Sequence, residues 1–411
     1  MKREERAYPV RLANVLFGLV HGLYWAGNCM FLGFMVTYLT AEGYSTSLIG
    51  VLMSLMTMLS IFVQPVLGYL SDTYVPVKII SLVLLAVLIP MGLVIPAVVA
   101  VPLLASVIVV ALGLLTNTLA PLLEVWTIRS GEEHPGVKFG FTRSMGSLGY
   151  SFLALFMGRA FEKIGVDKMF AFGALFFGAL ILVVLLIPGI ACANKRGGQG
   201  EKGKKQAKGL GMFQVVKLMV KKPAYVFFLL FFILTYTSMK TTSTFYPVLI
   251  GNYAGMAAAS ALGIGLFISA LSEMPSMMFS DRLIRRFGAG KLMVVAGLGY
   301  ILRYVIYYFA SNVLTLQLAN LTQMITYGIL YPSVLTYLRQ LAPEQVAGTA
   351  ITATLAIANT VSSILGPMVF GAIIEYLSMD LCLLLCIVIS ALGLAAFAVS
   401  RRFAARETAT V

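Results

Sequence analysis

Long apolar stretches follow one another along nearly the whole chain, and the short connections between them hold most of its charge. About 20 apolar residues cross the hydrocarbon core of a bilayer as one helix. In lipid a backbone can satisfy its own polar groups only as a helix or a closed barrel. Apolar windows of this kind fall at 14–39, 48–70, 78–98, 101–127, 139–161 and 169–192, and again at 224–249, 258–282, 291–310, 313–338, 347–374 and 380–400. Composition agrees with that count. Hydrophobic residues make up 60% of the 411 and charged residues 11%, with a mean hydropathy of +0.93, whereas a soluble chain is about 45–50% apolar and about 25% charged. A soluble enzyme is excluded. The expectation is an all-α membrane protein with twelve transmembrane helices in two six-helix bundles.

The net charge of +14 raises the possibility of nucleic acid, but its distribution argues against that partner. Lys78, Arg129, Lys138, Arg282, Arg285, Arg286, Lys291 and Arg339 all fall in connections on one side of the expected bundle, while Arg159, Lys163 and Lys168 fall on the other. Cytosolic loops carry the excess of Lys and Arg, so both termini are expected in the cytoplasm, in an inner or plasma membrane. The basic start of the chain runs directly into a span too long for a signal-peptide core. Between the two sets of windows lies a Gly- and Lys-rich run that cannot bury a core, giving an expected division into a bundle over 1–193, a cytosolic linker over 194–222 and a second bundle over 223–411. Cys29, Cys192, Cys382 and Cys386 sit in or at the ends of apolar segments. They read as small packed hydrophobes rather than as a disulfide framework or a metal site.

The halves echo each other. Gln64-Pro65 is followed by Gly68, Ser71 and Asp72 after the second window, and Met274-Pro275 by Ser280, Asp281 and Arg282 after the eighth. Residues 159–165 and 371–377 also end alike, each with a glutamate. Repetition at half-length marks a duplicated transporter with its site where the repeats meet. On these motifs the chain resembles the major facilitator superfamily, whose loop between the second and third helices has a Gly-x-x-x-Asp core matched by Gly68 and Asp72. Within it, residues 64–72, Ala120-Pro121 with Glu124, the run 139–150, Ser272-Glu273 with Pro275, and Leu302-Arg303 are similar to the lactose-permease-type branch of oligosaccharide and nucleoside proton symporters.

Ionisable residues inside spans cost about 2.5–3.5 kcal/mol to insert and are functional candidates for that reason. Five stand out: Glu124, Arg143, Lys240, Glu273 and Arg303. Carboxylates accept hydrogen bonds in pairs and arginine offers a planar fork of donors, a set suited to a polyhydroxylated solute. Asn117, Ala120 and Glu124 share a helix face, and Tyr150 lies two turns beyond Arg143. At about 1.5 Å per residue, Glu273 sits some 12 Å above Asp281, Arg303 some 18 Å above Lys291, and Lys240 some 27 Å above Lys222. Glu273 and Arg303 are thus expected near mid-membrane, with Glu273 the leading partner for Arg303, and Lys240 near the outer face. A carboxyl at such depth is held between desolvation, which favours its neutral form, and a nearby cation, which favours the charged one, which suits a proton carrier.

The resemblance implies roles for these positions. Glu124 and Arg143 match the acid and arginine that bind sugar, Ser147 lines that site, Tyr150 stands where a tryptophan stacks on the solute, and Arg303 matches an arginine of the proton-coupling machinery. It also marks departures. Gln323 and Thr326 replace a histidine and a glutamate on the tenth helix, Lys240 and Asn359 replace a charge pair between the seventh and eleventh, and Ser243 replaces a second acid. Proton coupling is then expected to rest on Glu273 or Glu124, while His21 reads as packed. The expected function is secondary transport of a small polar organic solute, a sugar or nucleoside, by proton symport with alternating access. The alternative is a proton-coupled drug or metabolite efflux antiporter; a membrane sensor would need an appended domain that is not visible. No phosphate-binding loop is present. No cofactor is expected beyond the proton as coupling ion, and no partners beyond solute and membrane lipid, for a chain working as a monomer.

Overall fold

The computed structural model describes residues 10–133, 137–187 and 212–409. Most of the expected linker 194–222 and Cys192 lie outside these residues. The last part of that linker is not loop: Met212–Met219 forms a helix.

The described residues are helical, with no strand among them. The first group comprises α1 (Val10–Asn28), a π turn (Cys29–Gly33), α2 (Met35–Ala41), α3 (Thr46–Thr73), α4 (Val77–Val98), α5 (Pro102–Glu133), α6 (Phe139–Ile164) and α7 (Met169–Leu186). The second comprises α8 (Met212–Met219), α9 (Pro223–Ala254), α10 (Ala258–Met278), α11 (Ser280–Phe287), α12 (Ala289–Tyr308), α13 (Val313–Ala319), α14 (Tyr327–Leu341), α15 (Ala347–Tyr376) and α16 (Met379–Ala409). Over the described residues, each expected window is mostly helix. Ten stretches among the described residues are long and apolar enough to cross a membrane. One of them, Pro223–Met278, holds both α9 and α10, because Gly255 at φ 53° turns the chain between them. The helix α6, interrupted by glycines, serines and Arg143, falls short in hydropathy despite its 26 residues.

Apolar side chains face outward as well as inward. In every span except Arg11–Ala41 and Ala289–Tyr308, fewer than half the residues of the apolar window are buried within the protein. Leu103, Leu182 and Phe156 are among the large apolar residues left exposed. A soluble monomer does not leave apolar patches of that extent uncovered; a bilayer covers them. The protein is a multi-pass membrane protein.

Contacts divide the chain into two compact units, the first holding Met1–Tyr38 and Leu55–Lys204, the second Leu39–Ser54 and Lys205–Val411. In unit 1, α1 runs along α6 and α7, and α4 lies on α5 and α7. Small residues permit the close approach: a Cβ on Gly149 would stand 3.0 Å from the Gly22 carbonyl oxygen. In unit 2, α9 packs on α15 and α16, and α12 on α14 and α16. Residues 39–54 belong there because they pack on α15. The Thr46 N–H donates to Glu375 Oε2 at 2.8 Å and the Ser54 hydroxyl to the Ile364 carbonyl at 2.8 Å.

One span of unit 2 is broken in the middle. Between α13 and α14, residues Asn320–Met324 tighten into a 3-10 turn packed against α10. Non-helical backbone at membrane depth persists only where protein or a watery cavity satisfies it.

Candidate functional site

In unit 1 the polar centre is assembled by α1, α5 and α6. Arg143 on α6 donates from Nε to Glu124 Oε1 on α5 at 2.9 Å, and each side chain keeps about a third of its surface exposed, 31% and 34%. This is an accessible pair with donors and acceptors to spare. The guanidinium also lies over the Trp25 ring, 4.5 Å from its centroid, a cation–π contact. Gly146, one turn beyond Arg143, makes room for that indole, since a Cβ there would overlap it. The Trp25 ring in turn meets Tyr150 edge to face at 6.2 Å. Trp25 was not singled out from the sequence, although the chain has only two tryptophans and this one lies mid-window in the first span.

Asn117 lies on α5 with Glu124; its carbonyl accepts from Gln64 Nε2 at 3.3 Å and its half-buried side chain makes no hydrogen bond to the described residues. Ser147 is exposed on α6. His21 is packed: its Nε2 lies 3.0 Å from Thr127 Oγ1. The Thr127 hydroxyl spends its only proton on the Leu123 carbonyl, so Nε2 carries the imidazole hydrogen and donates it. At the end of α3, Asp72 pairs with Arg129 of α5. Gly68 has open space where a Cβ would stand, so in this structure it is not holding two helices in close approach. Asp281, its counterpart in the second repeat, is exposed in the first turn of α11 with no ion pair to the described residues.

In unit 2 the expected bond between Glu273 and Arg303 is absent; the two make no ion pair. Each charge is met instead by one of two adjacent residues of the 3-10 turn. Gln323 Nε2 donates to Glu273 Oε2 at 3.1 Å, and Arg303 Nε donates to Thr322 Oγ1 at 2.6 Å. The Thr322 hydroxyl proton goes to the Ala319 carbonyl, leaving its oxygen free to accept. Arg303 is 7% exposed and its Nη2 is buried without a hydrogen-bond partner among the described residues. The reason for the missed pairing is the broken span: spacing along the helices gave the depth of each charge and left out the polar turn that meets both. The 12 Å ruler from Asp281 to Glu273 also spans a helix end, because α10 stops at Met278.

Tyrosines fill the same region. Tyr300 hydrogen-bonds Met239 Sδ at 3.2 Å and lies 6.0 Å beneath the Arg303 guanidinium carbon. Tyr327 and Tyr331 stack at 5.7 Å, and Asn320 joins Tyr246 and Tyr307 through bonds of 2.7 and 2.9 Å. The spacings 300/304 and 327/331, one helical turn each, were the available signal for this cluster. Thr326 is buried and bonds the Thr322 carbonyl. The α9–α15 contact closes over Gly366, with Thr237 bonding Ser362 at 3.3 Å. Lys240 of α9 is half-buried and Asn359 of α15 exposed, and neither makes an ion pair or side-chain hydrogen bond to the described residues. Lys240, expected near the outer face, lies within α9, which continues to Ala254. Cys29, Cys382 and Cys386 are buried free thiols, and no group of three metal-binding side chains occurs among the described residues.

The MFS_1 like family matches residues 12–404 of the chain. An uncharacterized transporter of Bacillus subtilis (strain 168), YwbF, is 24% identical over 343 residues, 83% of this chain and 82% of that one. The maltose permease of Geobacillus stearothermophilus is 28% identical over 342 residues, 82% of each. Among solved structures, a mutant of the nucleoside transporter NupG superposes with a TM-score of 0.80 at 16% identity, covering 95% of this chain and all of that one (100%).

Proposed function

From the premise that this chain belongs to the MFS_1 like family, and is therefore a transporter of the major facilitator type and not an enzyme, we propose that it carries a sugar- or nucleoside-like solute by proton symport with alternating access. The observation that carries the reading is the Glu124–Arg143 pair, partly exposed and covered by Trp25 with Tyr150 beside it. A carboxylate and a guanidinium fork hold hydroxyl groups, and an aromatic ring lies against the apolar face of a pyranose or a base. The names of two similar proteins, a maltose permease and a nucleoside transporter, support the same class of solute.

Glu273 is the proposed proton site. Among the described residues it has a single side-chain partner, the Gln323 amide, so it takes up a proton without a salt bridge among them having to break. Ionised, it only accepts; protonated, it gains a donor, and the change in hydrogen bonding couples proton to solute. Both termini are placed in the cytoplasm on the distribution of basic residues.

The test uses proteoliposomes of the full chain. Adding solute should alkalinise the outer medium, and Glu273→Gln should abolish that signal while solute exchange at equilibrium survives. Undiminished proton uptake in Glu273→Gln would remove Glu273 from the mechanism. Accumulation only against an oppositely directed proton gradient would replace symport with efflux antiport.

A further inference from the structure

Lys240 is a central charge to which the proposed function gives no role. It lies on α9, fourteen residues before the helix end at Ala254, about 21 Å by helix rise, well beyond the reach of its own side chain toward the outer surface. Its depth is that of the tyrosine cluster, because the adjacent Met239 takes the Tyr300 hydroxyl at 3.2 Å. Its face is polar. Tyr236, one turn before it, has Tyr327, Tyr300 and Tyr331 as electrostatic neighbours, and Ser243, one turn after it, is exposed on the same strip.

Charges at this depth pair with one another or border water. Among the described residues no carboxylate lies within ion-pair distance of Lys240, and the three ion pairs they form are all elsewhere. Glu273 is engaged by Gln323, and Arg303 has a buried Nη2 with no partner. The centre of unit 2 thus holds two cations, neither in an ion pair, against one carboxylate. An anionic group of the solute supplies the missing partner, and a carboxylate does so with two acceptor oxygens.

We propose that Lys240 binds an acidic group of the solute, and that the solute is a carboxylated sugar of the uronic or aldonic acid kind. This rests on the proposed function and narrows it. The Lys240 ammonium takes the carboxylate as a charge-assisted hydrogen bond.

The experiment measures binding to the purified full chain in nanodiscs, by calorimetry, for matched pairs: glucose with glucuronate, maltose with maltobionate, and glucose 6-phosphate as the phosphate arm. At least one acid should bind tenfold or more tightly than its neutral partner. Lys240→Gln should shrink that preference below twofold and Lys240→Arg should keep it. Neutral sugars binding as well as the acids, unaffected by Lys240→Gln, would overturn the inference and leave the proposed function standing. The phosphate ester binding more tightly than either acid would overturn the carboxylate assignment. Binding by none of the compounds would overturn the inference, while the proposed function would stand or fall separately on the proton-uptake assay.

Discussion

In unit 1 the central acid and arginine are bonded to each other, Glu124 to Arg143 at 2.9 Å, whereas in unit 2 Glu273 and Arg303 are bonded to neighbouring residues of a broken span, Gln323 and Thr322. The first arrangement is electrically closed and braced by an aromatic ring. The second leaves a carboxylate with a neutral partner and a guanidinium with a buried unsatisfied nitrogen. A paired charge keeps its position and presents its remaining donors and acceptors. A charge held by a neutral amide can gain or lose a proton without stranding an opposite charge. On the proposed function, the closed pair suits the holding of hydroxyl groups and the amide-held carboxylate suits proton exchange.

The largest expected effect breaks the closed pair. Arg143→Ala strips Glu124 of its cation and should weaken solute binding by about a hundredfold, roughly 2.7 kcal/mol, within the cost of truncating one partner of a bonded charge pair. Calorimetry on the purified protein reads it. The same conservative exchange made in both units then sharpens the comparison. Glu124→Gln should weaken binding by roughly tenfold, while Glu273→Gln should leave binding within about threefold and remove only the proton signal, since a change of 1.4 kcal/mol is one decade. Equal losses of binding in the two variants would erase the distinction between the units.

Smaller effects follow from the braces. Trp25→Ala should weaken binding by about fivefold and Trp25→Phe by less than about twofold, because a phenyl ring retains most of the cation–π contact. In unit 2, a Cβ on Gly328 would overlap the Ser276 hydroxyl and stand 3.2 Å from the Glu273 carbonyl oxygen. Gly328→Val should therefore lower the melting temperature by about 5 °C through overpacking, as followed by the fluorescence of buried tryptophan. The smallest contrast is at the repeated aspartates. Asp72→Asn, which loses the partner of Arg129, should slow transport about threefold, and Asp281→Asn, exposed and without an ion pair, by less than about twofold.

The course of the helices was legible because lipid imposes one rule on every span, and apolar length records it. The Glu124–Arg143 pair was legible because two opposite charges flank one turn between successive spans and match a motif of the branch that the chain resembles. The Glu273–Arg303 pairing was misjudged because residues 320–326 have no proline or glycine to announce a break, and their polarity, read along a helix, looks like a face. The residues 39–54 were assigned to the first bundle by their order in the chain, whereas their contacts, through Thr46 and Ser54, are with α15. Trp25 escaped notice because its role depends on Gly146, which is remote in sequence.

Apolar runs, charge placement and half-length echoes determined that this chain is a helical membrane protein of duplicated design, since those properties act locally and add up along the chain. Which charge meets which was decided only in three dimensions. Hydrogen-bond partners are chosen by the few ångströms between side chains of different helices, and a single tightened turn at Asn320–Met324 was enough to hand Glu273 an amide and Arg303 a hydroxyl in place of each other.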